Sequence, residues 1–306
     1  MDKAQLNRLV RQIETLELTD AQRQKASGSF INLETGNTHY ELKGQGKRVV
    51  LVHGYATPYY IYDKVFESLV NAGFKVLRYD LLGRGLSERA KAKYTPELFA
   101  KQLNELTQAL FGSEKFILFG TSMGGIIAST FCRLYPGRVE KLVLLAPAGM
   151  DTYKTPFYTK ICKIPVLGDI IFSTVGGKIL LIKSASELKY SSQEVKDYYL
   201  NSFAYSAKYK GFLRCTLSSM RNTILKTAHA MKGYESVANQ HIPTLCIWGT
   251  DDKTMPYYQH ERLQEVCPQA VIHTFKGSGH IFLFDEGERT VSVVLPFLLK
   301  EIKTND

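Results

Sequence analysis

The hydroxyl of Ser122 lies in Gly120-Thr121-Ser122-Met123-Gly124-Gly125, between the apolar run 116–119 and a helix-like run that begins at Ile126. Gly-x-Ser-x-Gly at a strand-to-helix bend has the spacing of a nucleophile elbow. The bend strains the backbone at the serine, so the residues two places away on either side must be small. A serine hydroxyl reacts usefully only when a base takes its proton and a third group orients that base. Asp251 and Asp252 follow the apolar run 244–250, and His280 stands in Gly277-Ser278-Gly279-His280 after the run 270–275. Both positions are carboxyl ends of strands, the edge at which open α/β sheets build their sites.

The order serine, acid, histidine that accompanies such an elbow selects Ser122, Asp252 and His280. Asp252 is preferred to Asp251 because it stands further out on the loop, and Asp151 is a third candidate acid. Among the other histidines, His39 and His273 fall in strand patterns, while His229, His241 and His260 lie in or beside helical ones. His53 is the alternative base, but its place before Gly54 suits a structural hydrogen bond better. A tetrahedral oxyanion needs two backbone N–H donors. The amide of Met123 is one candidate; the amide of Tyr55, in the loop His53-Gly54-Tyr55, is the other.

These residues need a frame. Apolar runs rich in β-branched residues at 48–54, 74–80, 115–120, 141–147, 244–250 and 270–275 read as parallel strands covered on both faces. Candidate helices lie around 61–72, 97–111, 123–135, 257–267 and 288–302, so the pattern is that of a doubly wound, mostly parallel α/β sheet. Two short strands flanking Glu34-Thr35-Gly36-Asn37 add an antiparallel hairpin. From about 151 to 240 helical periodicity continues without a strand, which predicts a helical cap inserted into a core made of 1–150 and 241–306. Within that core, residues 1–27 form an N-terminal helical extension whose Leu6, Leu9, Val10, Ile13 and Leu16 recur at helical spacing.

Taken together, "LVHGYATP", "RYDLLGRGLS", "GTSMGG", "WGTDDKTMP" and "GSGHIFLFDE" resemble the α/β-hydrolase fold superfamily from about residue 30 to 300. "GTSMGGIIA" and "IPVLGDIIF" are most similar to its serine esterase and lipase branch, the monoacylglycerol-lipase-like side. The resemblance implies Ser122, Asp252 and His280 as the triad and the amides of Tyr55 and Met123 as the oxyanion hole. It also implies that Asp80 and Arg84 brace loops. Serine rather than aspartate at the elbow argues against haloalkane dehalogenase and epoxide hydrolase chemistry. The expected activity is hydrolysis of carboxylic esters, acyl or lipid-derived, through an acyl-enzyme. The alternatives are a carbon–carbon hydrolase of ring-cleavage products with the same triad, and a non-catalytic ligand-binding protein on the same scaffold.

Composition excludes other classes. A 306-residue chain with 44% hydrophobic and 22% charged residues is an ordinary globular protein. Five cysteines without a C-x-x-C pair argue against a disulfide scaffold or a zinc site, so no cofactor or metal is expected and a cytoplasmic setting fits. The N-terminus shows no signal-peptide pattern and no segment has the apolar length of a membrane span. The net charge of +10 comes without a nucleic-acid-binding motif, so no nucleic-acid partner is expected. Residues 151–240 carry thirteen Lys/Arg against six Asp/Glu. Phe157, Ile161, Ile164, Val166, Leu167, Ile170, Ile171 and Phe172 are expected to wall an acyl pocket there. Tyr198, Tyr199, Phe203, Tyr205 and Tyr209 would form an aromatic rim, suited to a lipid-derived ester and to peripheral contact with an anionic membrane.

Overall fold

The computed structural model describes residues 3–152, 158–188 and 191–301. Eight strands form one sheet: β1 (Ser29–Leu33), β2 (Gly36–Lys43), β3 (Arg48–Val52), β4 (Lys75–Tyr79), β5 (Phe116–Thr121), β6 (Val139–Leu145), β7 (Thr244–Gly249) and β8 (Val271–Phe275). Their order is β1-β2-β4-β3-β5-β6-β7-β8. The β1–β2 and β2–β4 pairings are antiparallel, and every pairing from β4 to β8 is parallel. Every residue of β5 and β7 is buried, so these strands show continuous hydrophobicity instead of alternation. The run ending at Phe275 differs from its reading as a covered strand. It is the edge strand β8, with Val271, His273 and Thr274 exposed and only Phe275 buried.

Fourteen α-helices are described: α1 (Lys3–Val10), α2 (Asp20–Gln24), α3 (Asp63–Asn71), α4 (Pro96–Phe111), α5 (Met123–Leu134), α6 (Tyr158–Lys163), α7 (Leu167–Ile171), α8 (Gly177–Glu187), α9 (Gln193–Ala207), α10 (Phe212–Ser219), α11 (Thr227–Asn239), α12 (Gln259–Val266), α13 (Phe282–Asp285) and α14 (Gly287–Leu299). Local chemistry sets their ends. The Thr95 hydroxyl accepts from the Leu98 N–H at 3.3 Å and Pro96 occupies the first turn of α4, which closes at Gly112 with φ of 60°. α3 packs on α14; α4 and α11 both pack on α5, and α12 packs on α11.

Between β6 and β7 the described residues are helical, with no strand. α11 falls inside the 151–240 stretch read as inserted, yet it packs on α5, and the Tyr234 hydroxyl donates to Ala148 O at 2.7 Å. By its contacts α11 belongs with the helices flanking the sheet. The N-terminal helix is also shorter than its apolar spacing suggests. It stops at Val10, and the chain then runs beside 207–210, with Glu14 N donating to Ala207 O at 2.9 Å and Lys210 N to Leu16 O at 2.8 Å. Leu9 is fully buried, and α1 packs on α8 and α9.

Candidate active site

Ser122 stands at the junction of β5 and α5 with φ 52° and ψ −120°, a left-handed backbone that a non-glycine residue adopts only under constraint. The neighbouring glycines show what holds it. A Cβ on Gly120 would lie 2.5 Å from Gly124 O, and one on Gly124 would run into Val52 O and His53 O. The chain therefore passes against itself and against β3 at the bend. Gly54 approaches from the other side, where an added Cβ would meet Ser122 Cβ at 3.3 Å.

Asp252 and His280 come together as their loop positions imply. His280 Nδ1 donates to Asp252 Oδ2 at 2.7 Å, and both residues are buried. Asp252 Oδ1 accepts from Thr254 N at 2.9 Å and Met255 N at 2.7 Å, so the carboxylate is fixed by its own loop. Burial alone would lower the His280 pKa, but the Asp252 charge and hydrogen bond, with help from Glu187, raise it above the ordinary histidine value. The other candidate acids lie elsewhere. The Asp251 carboxylate accepts from Thr250 Oγ1, and exposed Asp151 pairs with Arg262 at 2.8 Å.

His53 is not free to act as a base. It is buried, its Nδ1 donates to Gly54 O at 3.0 Å, and its Nε2 accepts from Leu81 N at 2.9 Å. Burial pushes its pKa down to about 4, so it stays neutral and ties β3 to the chain after β4. That chain holds the loop carrying Tyr55. Arg84 Nε donates to Tyr55 O at 2.9 Å, and Asp80 Oδ1 accepts from Tyr59 N at 3.1 Å. Asp80 also accepts from Leu86 N and from His39 Nδ1. A brace for the loop beside Ser122 is thus the visible role of both Asp80 and Arg84.

Two cavities meet at Ser122. One of about 110 Å³ is lined by Gly54, Thr57, Ser184, Glu187, Tyr199 and His280, among others. The second, of about 150 Å³, is walled by apolar side chains that include Ile161, Ile171, Phe172, Ile179, Leu180 and Met220. Tyr55, Ser122, Leu180, Lys183 and Thr254 line both. A larger cavity of about 600 Å³ beside Asp80 contains none of Ser122, Asp252 and His280, and both nitrogens of its His39 are taken, by Asp80 and Ser27 O.

Residues 45–287 match the family described as serine aminopeptidase, S33 (Hydrolase_4). The chain belongs to that family. It is thus a serine hydrolase of the α/β-hydrolase fold superfamily. It is 27% identical over 276 residues to the AB hydrolase superfamily protein YisY of Bacillus subtilis, covering 88% of this chain and 98% of that one. It is 28% identical over 291 residues to a 2-hydroxy-6-oxononadienedioate/2-hydroxy-6-oxononatrienedioate hydrolase of Paraburkholderia phymatum, covering 89% and 96%. Its fold is similar to that of an esterase from Exiguobacterium antarcticum, with a TM-score of 0.74 at 20% identity over 89% of this chain and 100% of that one.

In this hydrolase the apolar wall differs from its sequence reading. Ile161, Ile171 and Phe172 line the cavity, but Ile164, Val166, Leu167 and Ile170 are 47–71% exposed, and Phe157 lies outside the described residues. Helix α7 and the turn before it therefore carry apolar side chains outward, while Ile161 of α6 and Ile171 of α7 face the cavity. The expected aromatic rim is likewise split: Tyr199, Phe203 and Tyr209 are buried, whereas Tyr198 and Tyr205 are exposed. Sequence reasoning missed Glu187 and Lys183 on α8. Glu187 Oε1 accepts from Thr254 Oγ1 and Oε2 from His280 N at 3.3 Å. No motif marks either residue; only the docking of α8 brings them to Ser122.

Proposed function

We propose that the chain hydrolyses carboxylic esters through an acyl-enzyme on Ser122. The observation that carries this is the strained Ser122 on the shared wall of an apolar cavity and a cavity containing the Asp252-oriented His280. His280 Nε2 takes the Ser122 proton as Oγ attacks the acyl carbon. Asp252 holds the Nδ1–H tautomer and stabilises the imidazolium. The amides of Tyr55 and Met123 donate to the oxyanion, and the imidazolium returns its proton to the departing alkoxide. Water activated by the same histidine then releases the acid and frees Ser122.

The uncharged side chains around the 150 Å³ cavity support an acyl chain there, with the insert helices α6–α10 acting as a cap. The cation of Lys183 beside Ser122 would repel the free α-ammonium of a peptide, which favours esters over aminopeptidase substrates. The test is initial rates on p-nitrophenyl esters from acetate to palmitate with Ser122→Ala alongside. Hydrolysis abolished in the variant supports the reading; equal activity overturns it.

The outward face of the same helices supports peripheral contact with an anionic lipid surface. Ile164, Val166, Leu167, Ile170 and Ile182 are each at least 46% exposed, in a segment that also carries Lys163 and Lys178. No helix among the described residues is long and apolar enough to cross a membrane.

A further inference from the structure

The 150 Å³ cavity is lined by apolar and small polar side chains with one exception among the described residues, Lys183. A lysine in such a wall has lost much of its hydration, and a cation so placed needs a counter-charge to offset the loss. Two carboxylates stand nearby, but both are committed. Glu187 accepts from Thr254 Oγ1 and His280 N, and Asp252 accepts from His280 Nδ1 and two loop amides. The Lys183 carbonyl accepts from Ser186 Oγ, but among the described residues the Lys183 ammonium makes neither a hydrogen bond nor an ion pair. Burial accordingly pulls its ammonium below the ordinary lysine range, against the opposing pull of Glu187 and Asp252. The exposed lysines of the insert differ in this respect, since water satisfies them.

Lys183 also occupies the part of the wall common to both cavities, together with Ser122. An anion held there would sit close to the scissile carbonyl and not at the far end of the acyl chain. We propose that Lys183 forms an anion subsite beside Ser122, so that the preferred ester carries a carboxylate on its acyl part, within a few atoms of the bond to be cut. This rests on the reading of Ser122 as the nucleophile, and it narrows the substrate class from neutral esters to half-esters of dicarboxylic acids.

The test compares monoethyl succinate with ethyl 4-methylpentanoate, in which an isopropyl group replaces the carboxylate, by pH-stat titration of the acid released. Wild-type protein should favour the half-ester in kcat/KM. In Lys183→Met that preference should fall at least about tenfold, mainly through KM, whereas Lys183→Arg should hold it. Lys183 also lowers the His280 pKa through its charge, so Lys183→Met should move the acidic limb of the rate profile to higher pH on both esters. The loss of preference for the half-ester, restored by Lys183→Arg, is what a merely structural lysine would not give. Equal losses on both esters, no preference in wild type, or no turnover of the half-ester overturns the anion subsite. Labelling of Ser122 by a fluorophosphonate separates the two readings. Labelling without discrimination removes only the subsite, and absence of labelling in wild type removes the nucleophile on which it rests.

Discussion

Replacing Asp252 by asparagine should stop the reaction while leaving the fold in place, and the hydrogen bonds say why. At Oδ1 the carboxylate accepts from two backbone N–H groups, at 2.9 and 2.7 Å; at Oδ2 it faces His280 Nδ1 at 2.7 Å. An asparagine must put its carbonyl oxygen toward the two N–H donors, because its NH₂ would clash with them electrostatically. The NH₂ then faces Nδ1, which must accept, and the imidazole proton moves to Nε2. In that tautomer His280 presents N–H to Ser122 and cannot take its proton. The expected loss in kcat is on the order of 10⁴-fold, or about 5.5 kcal/mol of barrier. The assay is p-nitrophenyl butyrate hydrolysis over pH 5 to 9, with thermal unfolding and fluorophosphonate labelling as companions. Wild-type rates should fall as pH drops through a His280 pKa raised above its ordinary value, since the imidazole must be unprotonated to act. In the variant the larger raising partner is gone, leaving only the weaker pull of Glu187 against burial and the Lys183 charge, so the acidic limb should move to lower pH. A folded Asp252→Asn protein retaining more than about a tenth of wild-type kcat would refute the triad assignment.

Gly124→Ala should destabilise by about 1–3 kcal/mol or more, because its methyl meets the Val52 and His53 carbonyls, which thermal or urea unfolding would show. Ile171→Trp narrows the apolar cavity and should lower kcat/KM for octanoate relative to acetate by about tenfold, read from the chain-length series; an unchanged ratio would place the acyl chain elsewhere. Val166→Asp with Ile170→Asp should weaken partitioning onto phosphatidylserine-containing vesicles at least about tenfold in a sedimentation assay, and undiminished binding would discard the lipid-facing role.

The strand runs and the chain order of Ser122, Asp252 and His280 were legible because each depends on local chemistry. Central parallel strands must be apolar throughout, the elbow must have glycines where the backbone meets itself, and sharp loops place the acid and base at strand ends. What escaped depends on how elements dock. Nothing in the spacing of α8 distinguishes Lys183, which lines the site, from Lys178, which does not. The run Ile161–Phe172 looked like one apolar wall, yet short helices turn successive residues to opposite sides, so Ile171 lines the cavity while Ile170 is 57% exposed. The α11 segment carries the same helical periodicity as the inserted helices, and only its packing on α5 assigns it to the sheet.

The partners of the first turns are translated very late. Glu14 receives the Leu213 amide, 199 residues further along the chain, and Leu16 bonds to Lys208 and Lys210. On a ribosome adding about 5–20 residues each second, the opening segment would wait on the order of 10–40 s for those partners. During that interval Leu9 lacks α8 and α9, on which α1 packs, so nascent chains carry a solvent-facing apolar segment. The docking of that segment is therefore late relative to its own synthesis, and cannot precede the appearance of residues 207–213. Stretches of message that slow translation before codon 213 would lengthen the exposure, and with it the opportunity for chaperones or neighbouring nascent chains to engage the same side chains.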